Sequence, residues 1–337
     1  MSIHVLYPFN FTSSVHFGDT VLGGQLDTVT LTCGADTLFS ALCNEASWQS
    51  NGLVEYFIDQ IRQGHISFSS LFPYIQNDEG YEFYLPKPII TIDRDEPVAS
   101  YETMKVRATE AKKIKKVNFI RASQVYDYIV GKPLELQEPE FAVMQVTDAV
   151  NCRGEQPLPY AVGSYKFSER AGLYCIASFD TADNQTLFEN LLVSLSHTGI
   201  GGKRSCGYGQ FTLDVEEDPI ILVDGEEIVG LYDDDIAIAH MLNLDDAALY
   251  LVVAPYIPTT ESIDIIKNST YGLVKKGGFT FSTQGMVPRK KNSVYMVKEG
   301  SCMRDIIEGQ LVEMPIVHMP HQIYKYGIGK LLGVHYE

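Results

Sequence analysis

The stretch from Gly199 to Phe211, GIGGKRSCGYGQF, holds five glycines, a Lys-Arg pair and a tyrosine, and its flanks fix the kind of connection it makes. Upstream, Leu187, Phe188, Leu191, Leu192 and Leu195 recur at helical spacing; downstream, Phe211, Leu213 and Val215 alternate like a strand. The spacing predicts a helix-to-strand connector, with the helix opening at Asp183 or Asn184. The well-known nucleotide loops run in the opposite order, from strand to helix. Lys203 is followed by Arg204 rather than Ser or Thr, and no G-x-G-x-x-G spacing fits these glycines. Glycines let backbone N–H groups approach an anion closely, and Lys203 and Arg204 supply charge, so the stretch suits phosphate. The alternative reading of the same residues is a plain turn that needs positive φ.

The 337 residues are long enough for two domains that each bury a core. The opening MSIHVLYPFN lacks a basic segment followed by an apolar run, and no stretch approaches the ~18 apolar residues of a membrane span, which predicts a cytoplasmic protein. Cys33, Cys43, Cys152, Cys175, Cys206 and Cys302 form no C-x-x-C pair and suit reduced thiols. His318 and His321 make an H-x-x-H without evident partner ligands, so neither a metal nor a cofactor is expected. The net charge of −17 is segregated: Asp214 to Asp246 holds twelve acidic residues and no Lys or Arg. That segment could face a basic partner or simply keep the chain soluble. Basic residues cluster elsewhere, at Lys105, Arg107, Lys112, Lys113, Lys115, Lys116 and Arg121, at Lys203 and Arg204, and at Lys275, Lys276, Arg289, Lys290 and Lys291. One such run is usually a solvated face; three beside a glycine loop point toward nucleic acid.

Along the chain, IHVLYPF reads as a strand, ADTLFSALCNEA as a helix capped by Asp36, and Leu53 to Ile61 as a second helix stopping at Gly64. YEFYLPKPII reads as a strand broken by prolines, the lysine-rich segment as an insertion, and GLYCIASF as a further strand. The resulting βαββαβ order fits a ferredoxin-like domain. After the acidic stretch, ALYLVVAPYI reads as a buried strand, followed by a helix near Glu261 to Lys267 and further strands, enough for a second α+β domain.

The motifs VHFGD, ADTLFSALCNE, FYLPKP, GIGGKRSCGYGQF, KKGGF and YKYGIGK together resemble the Cas5-like RAMP subunits of type III-A CRISPR effector (Csm) complexes, the Csm subunit four family. The resemblance spans nearly the whole chain and is weakest over residues 75–165. It implies an α+β fold of two ferredoxin-like (RRM-like) domains. The first covers 1–217, with a thumb or hairpin inserted at about 85–145 and the glycine-rich loop at 199–209; the second covers 218–337. It further implies a subunit that holds the repeat-derived 5′ tag of the guide RNA (crRNA), docks a large palm-domain (Cas10-like) subunit and lies beside a RAMP backbone subunit.

On that reading, backbone N–H groups of Gly199, Gly201, Gly202 and Gly207 line the RNA path, with Ile200 and Ser205 in the same loop. Lys203 and Arg204 neutralise phosphates, and Tyr208 offers a stacking face. Phe211 reads better as a strand residue of the core. His16, in the HFG segment, is placed along the RNA by the resemblance, although a lone histidine before a turn is more often structural. Lys112, Lys115 and Lys116 map to the thumb, and Arg289 and Lys290 add a distal basic contact. Cys206 replaces an expected small hydroxyl residue and leaves the backbone cradle untouched. No catalytic residue is expected: the first helix carries no histidine, and no acid/base set clusters around His16 or His197. The alternatives are a metal-independent guide-processing endoribonuclease, a subunit touching only proteins, and the equivalent subunit of a type III-B (Cmr) complex.

Overall fold

The computed structural model describes residues 2–335 apart from 19–25, 51, 92–104, 106–108, 110–111, 135, 137, 153–155, 214–218, 225–226, 245, 281–288 and 317–320. In chain order, the first half contains β1 (Ile3–Phe11), α1 (Ala35–Gln49), α2 (Leu53–Arg62), β2 (Ile66–Phe68), β3 (Phe72–Asn77), β4 (Gly80–Pro86), β5 (Phe119–Arg121) and α3 (Val125–Ile129). It continues through β6 (Ala142–Asn151), β7 (Leu158–Phe167), β8 (Ala171–Phe179), α4 (Ala182–Thr198) and β9 (Phe211–Thr212). The remainder comprises β10 (Ile220–Asp224), β11 (Glu227–Ile228), α5 (Asp233–Leu242), β12 (Leu249–Tyr256), α6 (Ile263–Lys267), β13 (Leu273–Lys276), β14 (Val294–Val297), β15 (Cys302–Met303), β16 (Val312–Glu313), β17 (Tyr324–Lys325) and β18 (Ile328–Val334).

β1 is buried at Val5, Leu6 and Tyr7 in succession because both of its faces meet a core. Val5, Tyr7, Phe9 and Phe11 point into one apolar cluster and Leu6 into another. It lies inside an antiparallel sheet of order β11-β10-β1-β8-β3-β4-β5, with β2 added on β8 and β9 on β1. Helices α1, α2 and α4 cover one face with Leu38, Leu42, Phe57, Phe188 and Leu192. The other face, with Phe72, Phe83, Tyr174 and Ile176, meets Leu249, Leu251 and Val253 of β12, Leu332 of β18 and Ile238 of α5.

The second sheet is built around β12, buried along its whole length as the run ALYLVVAPYI predicts, with order β13-β14-β12-β15 and β18 also paired to β12. Among the described residues no helix joins β15 to β18. β10 and β11 lie beyond residue 217, within the acidic stretch, yet extend the first sheet by pairing with β1 and with each other.

Two helix starts differ from expectation. Thr181, not Asp183 or Asn184, caps α4, its hydroxyl accepting from the Asn184 N–H at 3.3 Å. The N-cap of α1 is Gly34, with no side-chain cap. Asp36 lies one residue inside the helix, buried, where Lys325 Nζ reaches its Oδ2 at 2.5 Å and Lys276 Nζ its Oδ1 at 3.3 Å. The acidic run is also partly internal. Asp234 is fully buried and accepts from the Phe83 N–H (3.1 Å), the Ser123 N–H (2.9 Å) and Arg121 Nε (3.1 Å). Asp235 accepts from the N–H groups of Leu231 and Tyr232 ahead of α5. Asp224, Glu227, Asp233 and Asp246 remain exposed, and residues 214–218 lie outside the described part.

Candidate nucleic-acid interface

The glycine loop leaves the C-terminus of α4 through Gly199 (φ 81°), whose N–H donates to Leu195 O at 2.7 Å. It then closes on itself and on the segment after β1. Ile200 N–H donates to Gly209 O (2.9 Å), Gly209 N–H to Ser14 O (2.9 Å) and Gly202 N–H to His16 O (2.8 Å). Contact is close enough that a Cβ on Gly202 would lie 2.5 Å from His16 Cδ2, and one on Gly201 2.7 Å from His16 O. These glycines are needed for backbone approach as well as for turning.

A 3₁₀ turn over Arg204–Cys206 forms the loop's outer edge, with Cys206 N–H bonded to Lys203 O and Gly207 N–H to Arg204 O. The N–H groups of Gly199, Gly202 and Gly207 are therefore occupied internally. Among the described residues those of Gly201, Lys203 and Ser205 have no protein acceptor. Ile200 is completely buried and Gly199 is buried, so neither faces a ligand; Ser205, Cys206 and Gly207 are exposed, and Arg204 and Tyr208 half-buried.

Lys203 adopts φ 60°, the only non-glycine positive φ among the described residues. Its ammonium lies 4.5 Å from the centre of the Tyr160 ring and donates to Tyr160 Oη at 3.1 Å. The cation is thereby held at the loop surface instead of sweeping through solvent. Tyr160 belongs to β7, half of a two-stranded ribbon in which β6 and β7 pair over ten residues. His16 ties the same ribbon from below: its Nδ1–H donates to Gly163 O at 2.7 Å and the ring is 5 % exposed. The imidazole is thus a buried brace between loop and ribbon, not a group lining a surface. Phe211 is core, packed on Phe9 at 4.6 Å between ring centres, as its strand position predicts.

The other predicted contacts lie elsewhere. Lys112, Lys115 and Lys116 are exposed on a helical turn over 112–116 that leads into β5. β5 stands four strand positions from β1, roughly 19 Å across the sheet. Arg289 and Lys290 are exposed beside Phe279 and Thr280 in the second half of the chain. The projecting ribbon, Ala142–Phe167, begins where the expected 85–145 insertion ends. Tyr160 and the ribbon are the features sequence reasoning missed. The alternation Tyr160, Val162, Ser164 was their signal, obscured by Pro159 and Gly163. No group of three or more His, Cys, Asp or Glu among the described residues is placed to hold a metal; His318 lies outside them.

A protein of Streptococcus thermophilus described as CRISPR system Cms protein Csm4 is 30% identical over 322 residues, covering 95% of each chain. The chain belongs to the Csm4 family. A family model for the CRISPR Csm4 C-terminal domain matches residues 245–334, and a Csm4 protein of Thermococcus onnurineus is 26% identical over 303 residues, 89% of this chain and 91% of its own. The fold is similar to that of a chain in the crystal structure of a Csm3-Csm4 subcomplex of the type III-A CRISPR-Cas interference complex, with a TM-score of 0.60 at 19% identity over 100% of both chains. The resemblance to the Csm subunit four family read from the motifs is thus borne out. The mixed α/β architecture with antiparallel sheets is consistent with a Cas5-like RAMP fold. No helix among the described residues is long and apolar enough to cross a membrane.

Proposed function

We propose that this Csm4-family chain is a non-catalytic, cytoplasmic subunit of a type III-A Csm complex that grips the repeat-derived 5′ tag of the guide RNA with its glycine loop. The observation that carries this reading is the braced loop itself. Three N–H groups with no acceptor among the described residues, at Gly201, Lys203 and Ser205, lie in one stretch of the loop that carries Arg204 and the Lys203 ammonium held on Tyr160 and runs to the exposed edge at Ser205. Such an edge fits a sugar-phosphate strand, and half-buried Tyr208 offers a ring face beside it. Family membership supports the RNA as guide RNA. The strand order β9-β1-β8-β3, with α1 and α4 on one face, supports a ferredoxin-like first domain, and the β12 sheet is read as a second, one helix short.

A protein named Csm4 is seen in solved structures with Csm3 and with Csm1, which supports a backbone subunit and a large palm-domain subunit as partners here. Nuclease chemistry through His16 is disfavoured because its ring is buried between loop and ribbon, away from any ribose hydroxyl. The test is guide-tag binding by Lys203→Ala/Arg204→Ala across salt concentrations. Loss of two phosphate contacts should flatten the log K against log salt slope by about 1.4. An unchanged slope and affinity would remove the loop from the RNA path.

A further inference from the structure

β6 is an edge strand with both its side chains and its backbone uncovered. Met144, Val146 and Val150 are 48 %, 58 % and 55 % exposed, and Asp148 between them is exposed too. The register shows which backbone groups face outward. On β7, Gly163 N–H donates to Leu26 O and its carbonyl accepts from His16, while Tyr165 exchanges both hydrogen bonds with Val15. Gly163 and Tyr165 therefore point away from β6. Residues directly opposite in an antiparallel ladder share one pair type, so Val146, opposite Gly163, and Met144, opposite Tyr165, also turn their N–H and C=O groups away from β7. Period two adds Asp148 and Val150. Pro159, which has no N–H to give, sits opposite Val150 as this register requires.

The same four residues thus present apolar side chains, one carboxylate, and a row of N–H and C=O groups with no partner among the described residues. Natural edges of this length are guarded by Lys, Pro, a bulge or a covering element. AVMQVTDAVN has no Lys, Pro or bulge, and a single charge, Asp148. We propose that the outer edge of β6 receives an added β-strand from another protein subunit, with apolar residues opposite Met144, Val146 and Val150 and a Lys or Arg opposite Asp148. RNA is the poorer occupant, since β6 carries no cation and its carboxylate repels phosphate. A second copy is poorer as well. Antiparallel pairing of β6 with itself sets Asp148 against Ala142, Met144, Val146, Val150 or another Asp148, none of which supplies a counter-charge.

This inference rests on the chain being a subunit of an assembly, and residue-resolved hydrogen exchange separates the two claims. In the free chain the amides of Met144, Val146, Asp148 and Val150 should exchange fast, and those of Gln145, Thr147 and Ala149 slowly. In the reconstituted complex with the adjacent backbone subunit, the first set should slow at least tenfold, with no change on adding guide RNA alone. Val146→Pro leaves the ribbon ladder intact because that N–H is not part of it, and it should weaken subunit association at least tenfold while guide-RNA affinity holds. Asp148→Lys, which keeps the strand, should weaken association through charge and serves if the proline variant misfolds. A complex that forms with these four amides still fast overturns the strand addition alone. Protection by RNA alone, or by the chain at rising concentration, also overturns it, in favour of RNA or self-pairing. A chain that forms no complex removes both this inference and the proposed function.

Discussion

Replacing Asp36 by Ala probes the link that joins the two halves of the molecule. The carboxylate sits in the first turn of α1, 5 % exposed, with Lys325 on β17 at 2.5 Å and Lys276 on β13 at 3.3 Å. Burial alone would push its pKa up, but the two ammonium groups hold it well below the usual carboxylate range. The substitution leaves two cations in the interface, one almost wholly buried, with no counter-charge. Breaking a buried pair in this way costs about 3–5 kcal/mol. With an unfolding entropy of about 2.1 cal/mol/K per residue, a 337-residue chain has about 0.7 kcal/mol/K, so the melting temperature should fall by about 4–7 °C.

Differential scanning calorimetry of wild type and Asp36→Ala at pH 7 measures this directly. The sign of the pH dependence follows from the depressed carboxyl pKa. The stabilisation is present above the unfolded pKa of about 3.9 and is lost as pH falls toward the folded value, so the gap between the proteins should narrow in acid. The triple replacement Asp36→Leu/Lys276→Met/Lys325→Met should recover most of the loss, because apolar groups of similar volume replace the ions without stranding a charge. A melting temperature within 1 °C of wild type for Asp36→Ala, or a triple variant no better than the single, would refute the reasoning.

The remaining predictions concern the loop and a second buried cation. Gly202→Ala brings a Cβ within 2.5 Å of His16 Cδ2 and should displace the loop and weaken guide-RNA binding, whereas Gly207→Ala, with nothing within 4 Å of its Cβ, should cost only about 1 kcal/mol of backbone strain; equal effects in a binding titration would contradict the close-approach argument. Lys330 is buried, hydrogen-bonded to Ser67 and Ser178 and close to His4, and burial lowers its pKa to about 8. Its charged form is disfavoured in the fold, so wild-type stability should rise between pH 8 and 10.5, by on the order of 3 kcal/mol. Lys330→Met should abolish that rise in denaturant titrations, and an unchanged pH profile would refute the assignment.

What the sequence disclosed and what it hid follow from the range of the interactions. The helix before the glycine loop and the strand after it were legible because their apolar periodicities are local, and Phe211 was placed in the core on the same basis. Asp36 looked like a helix cap because capping rules are local too, while its partner Lys325 lies 289 residues away. Asp234 was counted as part of an acidic surface, yet β4, β5 and the turn after it converge on its carboxylate from distant parts of the chain. The loop glycines were read as an open cradle, but Ser14 and His16 occupy part of that backbone, a contact no spacing rule reveals. The β6–β7 ribbon escaped notice because β6 is exposed on both faces and Asp148 interrupts the apolar alternation of Met144, Val146 and Val150.

The central claim is that the edge of the glycine loop lies on the guide RNA. A photo-crosslinking amino acid at exposed Ser205, in the assembled and RNA-loaded complex, tests it most directly. Irradiation followed by sequencing of the attached RNA should return the constant repeat-derived 5′ tag, and only that region. Crosslinks to protein alone, or to RNA scattered along the variable guide, would contradict the account.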